Sequence, residues 1–260
     1  MNEKTADSSG APQPARRRFF GQMVAVTSAV PLSQGLAGGA ALGALNADAQ
    51  SLVQAPAAAA APTAAPVLGY QCFSIDESAL VEAMVNLMCP KDEFTPNGVD
   101  CGLSNYIDRQ LAGDYGRGVG MYMQGPWAQG KPELGYQLPL TPQEFFKAGA
   151  AAVEAACKAK YGKNLEQLAA ADANAFLTDL AGGKVTHPDL PLGDWFNHLF
   201  YPLFTQACFA DPMYGGNFNK VFWKMLGYPG LPALHAQDMV QFRGKPFPGA
   251  QSPKSIADFS

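Results

Sequence analysis

An all-α domain is the fold this sequence predicts, and three observations predict it. Two capping boxes, Ser74-Ile75-Asp76-Glu77 and Thr141-Pro142-Gln143-Glu144, each open an apolar run at helical spacing. No segment alternates apolar and polar residues with the period of two that a half-buried strand requires. The 27 Gly and 21 Pro gather between the periodic segments, where they read as turns and long irregular loops.

The elements follow in order. Ser74 can accept from the third helical N–H and Glu77 can reach back, so a helix starts there. Leu80, Val81, Met84, Val85, Leu87 and Met88 form its buried stripe, and Pro90 ends it. Leu103 to Leu111 reads as a second helix closed by Gly113. Residues 112–139 are rich in Gly, Pro and aromatics and read as irregular. Thr141 opens the third helix, with Pro142 at the first helical position, where its missing N–H costs nothing. It should run to about Tyr161 and stop at Gly162. Asn164 can cap a short helix from Leu165, and residues 172–181 give another, ended by Gly182-Gly183. Leu192 to Phe209 reads as one apolar, aromatic helix with Asp194 in its first turn, where an acid complements the helix dipole. A short helix from Asn219 to Leu226 ends at Gly227.

The first 69 residues read as something other than fold. A polar start leads to Arg16, Arg17 and Arg18, and no formal charge follows from Phe19 to Ala47. Ala47-Asp48-Ala49 is a small-residue cleavage pattern, so residues 1–49 read as an export signal. Arg16 and Arg17 as the pair, with Phe19 two places on, resemble the twin-arginine (Tat) motif. The stretch holds several Gly and Ala and Pro31, which favours a signal over a membrane anchor. Residues 50–69 are an uncharged Ala/Pro-rich linker. The folded domain is expected over residues 70–260.

Composition narrows the chemistry. Charged residues are 15% of the 260, the net charge is −4, and no basic stripe is present, so a nucleic-acid partner is not expected. In an exported compartment the five Cys tend to pair. Connectivity is open: the first candidate is Cys89–Cys101, clamping a turn-rich loop, and the second is Cys157–Cys208, tying two helices; the alternative is that some or all are buried free thiols. There is no C-x-x-C-H for covalent haem and no cysteine run for an iron–sulfur cluster. His187, His198 and His235 are scattered; His198, among Phe196, Leu199 and Phe200, reads as a packed core histidine. Nothing matches a nucleophile elbow, a phosphate loop or a dinucleotide fingerprint. No catalytic, cofactor-binding or metal-binding residue is therefore assigned. Aromatic content is 11%. Tyr106, Tyr115, Tyr122, Trp127, Tyr136, Trp195, Tyr214, Trp223 and Tyr228 are suited either to an interface or to filling a small core.

One resemblance is specific. Asp211, Pro212, Tyr214, Gly215, Gly216 and Asn217 make D-P-x-Y-G-G-N, and Trp223, Gly227, Tyr228, Pro229 and Gly230 belong to W-K-x-x-G-Y-P-G. Tyr106 to Gly113 (YIDRQLAG) follows the loop Thr95–Val99. Together these resemble the gluconate 2-dehydrogenase subunit 3 family, with a departure in the Cys89 and Cys101 that bracket that loop. The resemblance implies a small subunit beside a large FAD-dependent dehydrogenase of sugars, sugar acids or polyols. A multi-haem cytochrome c subunit often completes such complexes. It further implies an escort role: one Tat signal, read by the Tat translocase, carries the folded flavoprotein out. The complex is then expected in the periplasm at the inner membrane. FAD and haem c would lie in the partners, none in this chain. The motif residues either shape a loop or touch the large subunit. A solitary Tat-exported helical binding protein is the alternative reading.

Overall fold

The computed structural model describes residues 69–259, apart from 129, 132 and 133. The Tat residues Arg16, Arg17 and Phe19, the signal and nearly all of the linker lie outside the described residues. Among the described residues every regular element is helical and no strand is present.

Local sequence explains most helix ends. α1 (Ile75–Met88) forms both halves of its capping box, with Ser74 N donating to Glu77 Oε2 at 2.8 Å. Leu80, Val81, Met84, Val85 and Met88 are buried along one stripe. α2 (Leu103–Ala112) begins at Gly102, which sits in the left-handed region at φ 78°. α3 (Pro142–Tyr161) has the second capping box and ends on Gly162, also left-handed. A 3-10 turn, Leu165–Gln167, and α4 (Ala170–Ala181) follow.

The helix expected over residues 192–209 is divided. α5 (Leu192–Asp194) runs into a π-helical segment, Trp195–Phe200, and then α6 (Tyr201–Phe209). Pro202 accounts for the wide turn. It has no N–H to give to the carbonyl four residues back, and its ring would crowd that carbonyl. Beyond α7 (Val221–Leu226) come a 3-10 turn (Pro232–His235), α8 (Ala236–Gln241) and two further 3-10 turns, to which sequence periodicity assigned nothing. No helix among the described residues is long and apolar enough to cross a membrane.

The core is organised around Trp195. It is fully buried, and its indole Nε1 donates to Phe146 O at 3.1 Å. The ring lies directly on α3 because position 149 is glycine: a Cβ there would stand 2.0 Å from Trp195 Cδ1. Phe73, Phe146, Trp195 and Phe200 then continue as an aromatic row with ring centroids 5.3 to 5.8 Å apart. Burying one such side chain contributes about 1.5–3 kcal/mol.

The disulfide expectation is corrected. No disulfide is formed among the described residues. Cys89 and Cys101 do converge, but each thiol points at the same acceptor, Pro96 O, at 3.8 and 3.6 Å. Hydrogen bonds close the loop that a bridge would have clamped. Asp92 Oδ1 accepts from Phe94 N and Thr95 N, Asn86 Oδ1 from Val99 N, and Asn97 Oδ1 from Asp100 N. Cys157 is buried where α3 meets the Leu165–Gln167 turn, and burial pushes its thiol pKa up. Cys208 is buried on α6, which packs on α2 and α7. His198 is corrected as well: it lies on the outer side of its helix, 3.6 Å from Asp194, and not in the core.

Candidate functional site

Two motifs separated by about a hundred residues meet at the amino and outer sides of α2. Phe218 N donates to Cys101 O at 3.0 Å. A Cβ on Gly102 would come within 2.6 Å of Gly215 O, and one on Gly215 within 2.8 Å of Arg109 Nη1. Gly215 has φ 98°, so glycine is required there both by conformation and by the guanidinium lying across it. Gly216 is equally confined, since a Cβ would stand 2.4 Å from Ala207 O.

Asp211, Asn217 and Trp223 each engage backbone groups. Asp211 Oδ1 accepts from Met213 N at 3.1 Å, and its Oδ2 accepts from Ile256 N at 2.9 Å, which draws the C-terminal segment back onto the loop. Asn217 is fully buried and left-handed, φ 49°. Its Nδ2 donates to Ala210 O, and its Oδ1 accepts from Phe222 N at 3.0 Å. Asn217 therefore caps the following helix across five residues, because Asn219 and Lys220 are left-handed and delay its start. Trp223 Nε1 donates to Phe209 O at 2.8 Å, capping α6, and its ring meets Tyr228 edge-on. Gly227 ends α7. Pro229 O accepts from Lys254 N at 2.8 Å, and Gly230 lies so close to that segment that a Cβ would be 2.0 Å from Lys254 O.

Asp108, in the YIDRQLAG stretch, has a function that sequence spacing did not reveal. It is buried, and its carboxylate accepts from Gln71 N, Cys72 N and Phe73 N at 2.7 to 3.0 Å. Charge-assisted bonds of this kind are about twice as strong as neutral ones. They fix the segment entering α1. Tyr70 joins it, donating to Glu82 Oε1 at 2.6 Å, and burial with that carboxylate raises its phenol pKa.

The aromatic set separates by burial, with Tyr136 and Tyr228 in between. Trp195, Trp223 and Tyr106 are buried, whereas Tyr115, Tyr122, Trp127 and Tyr214 are exposed. Burial raises the phenol pKa of Tyr106, with Tyr214 adding to it, and that of Tyr115, with Tyr106 adding to it. Burial pushes Tyr136 up to about 12, with Tyr115 adding to it. Met213, Val119 and Met121 add exposed apolar surface.

Two concavities lie in the C-terminal segment. One, of about 240 Å³, is bordered by Pro229, Met239, Phe242, Phe247 and the pair His235–Asp238, hydrogen-bonded at 2.9 Å. It is smaller than the usual ligand cleft of about 300–1,000 Å³. The other is an open cleft of about 420 Å³ with Lys220, Lys224 and Lys254 at its edge, where Lys220 is paired with Asp258. Among the described residues no group of three His, Cys, Asp or Glu could hold a metal ion.

An all-α domain whose signature residues shape a loop while apolar side chains remain outside has the build of a subunit. The family profile described as gluconate 2-dehydrogenase subunit 3 matches residues 75–230, and the chain belongs to that family. Membership fits an accessory subunit of a multi-subunit dehydrogenase complex. Comparison with curated proteins gives no match, and comparison with solved structures gives none.

Proposed function

We propose that this chain is the noncatalytic small subunit of a periplasmic flavin-dependent dehydrogenase. It escorts the large FAD subunit through Tat export and then stabilises it. A multi-haem cytochrome c subunit would take the electrons onward, and the complex would sit at the inner membrane. The observation that carries the reading is the family match over residues 75–230. The twin-arginine pattern at Arg16, Arg17 and Phe19 supports the route, because Tat carries folded, cofactor-loaded proteins. The exposed Tyr115, Met121, Tyr122, Trp127 and Tyr214 support a permanent partner, since a solitary exported monomer has little use for such a set.

The test is co-expression with a candidate large FAD subunit, followed by fractionation. The Arg16→Lys/Arg17→Lys double variant should leave dehydrogenase activity in the cytoplasm. Periplasmic activity that stays at the wild-type level would overturn the escort role.

A further inference from the structure

We infer that the face where the two motifs meet, formed by Arg109, Met213 and Tyr214, docks an apolar strip of the large subunit carrying one acidic side chain, and that Arg109 takes its carboxylate. The inference rests on the proposed function and deepens it by naming the contact.

Charge is the first argument. Arg109 is partly buried on α2, its guanidinium laid across Gly215. Among the described residues no carboxylate pairs with it. The acids of its own two motifs are occupied elsewhere: Asp108 by the amides of residues 71–73, and Asp211 by Met213 N and Ile256 N. A guanidinium partly withdrawn from water without an anion is costly, and a carboxylate arriving with a partner removes that cost.

Shape and composition are the second. Tyr214 and Met213 are each 47% exposed although they stand in a turn fixed by Asp211 and by Gly215 and Gly216. The turn thus holds these side chains outward on a rigid base. Tyr and Arg around a desolvated centre are the composition of interface hot spots. Rigid presentation lowers the entropy lost on binding. Just beyond α2 in the chain Asp114 pairs with Arg117 and is therefore not available to Arg109.

The experiment is capture of the co-expressed flavoprotein on the tagged full chain, read by flavin absorbance, with thermal melts confirming that each variant folds. Tyr214→Ser and Arg109→Ala should each cut captured flavin at least tenfold. Ile75→Ser, an exposed apolar site on a different element, should leave it unchanged. Capture by Arg109→Ala should also be less salt-sensitive than capture by wild type. If wild type captures no flavoprotein, the proposed function fails. If wild type and both variants capture equally, the subunit reading stands and this face is wrong. A self-dimer dissolved by Tyr214→Ser, with flavin capture intact, would also overturn it.

Discussion

The helices α1 to α6 and the segments around them, residues 113–140 and 210–259, are stabilised by opposite means. In the helices most large side chains point inward: Trp195, Phe145, Phe146 and Phe196 are fully buried, while Ile75 and Phe209 at helix ends stay exposed. In the other segments Tyr122 is 78% exposed, Leu226 61% and Val240 79%. There the chain is held by polar bonds to backbone, such as Asp211 to Ile256 N and Lys254 N to Pro229 O. One region uses apolar area to fold. The other buries Phe222 and Trp223 but keeps much of its apolar area outside and commits its polar groups to backbone.

The largest effect on this contrast comes from the core. Trp195→Ala should lose about 3–5 kcal/mol, the usual range for a buried aromatic. For a domain of this size that corresponds to a fall in Tm of roughly 10 °C or more, read by urea and thermal denaturation. A loss below about 1 kcal/mol would mean that the aromatic row does not hold the fold. Gly149→Ala sharpens the point because two effects oppose. Alanine favours a helix over glycine by about 1 kcal/mol. Against that, the new Cβ would sit 2.0 Å from Trp195 Cδ1, in a core with nowhere to move. Overpacking costs typically about 1–3 kcal/mol, so the variant should be destabilised despite better propensity. A rise in Tm would break the account.

Gly230→Ala tests the other region. At φ 74° and with Lys254 O in the way, the new methyl group should push the C-terminal segment off. Hydrogen exchange and limited proteolysis should show residues 252–259 released, while the midpoint of global unfolding moves far less than in Trp195→Ala. If global stability falls as much, the two regions are one cooperative unit.

How far the sequence discloses each region follows the same division. Ser74 with Glu77 and Thr141 with Glu144 are local pairs, and local pairs are legible. The buried stripe of α1 is a period, also legible. The D-P-x-Y-G-G-N motif announces a tight loop. Nothing local announces that Asp108 holds residues 71–73, or that Asp211 reaches Ile256, because a carboxylate meeting a distant amide leaves no periodic trace. The π turn before Pro202 was hidden within a strong apolar pattern, and Asn217 capped from five residues away because two left-handed residues intervene. The cysteine pair misled: Cys89 and Cys101 bracket a loop that Asp92, Asn86 and Asn97 already close. On the candidate face, composition called for either core or interface, and only burial could divide Trp195 from Tyr214.

The smallest effect separates the two carboxylates that tether the C-terminal segment. The Lys220 ammonium, helped by the Ser255 N–H, holds Asp258 down at about 2, against an ordinary carboxylate value near 4. A depressed folded-state value means that the tether is complete above pH 4 and is lost as pH falls toward 2. Ser255 N donates to Asp258 Oδ2 at 2.8 Å, so exchange at that amide should report the loss. The pair lies at the surface, so the change should be modest and weakened by salt. Asp211 tethers Ile256 nearby, so acid alone would not identify which carboxylate lets go. Lys220→Met does. With the ammonium gone, the Ser255 N–H still favours the carboxylate, so Asp258 should move up toward its ordinary value, and protection at Ser255 should fade at higher pH than in wild type while protection at Ile256 keeps its wild-type profile. If both amides shift together in the variant, the segment is released as one piece. Its polar bonds would then be as cooperative as the aromatic core they were contrasted with.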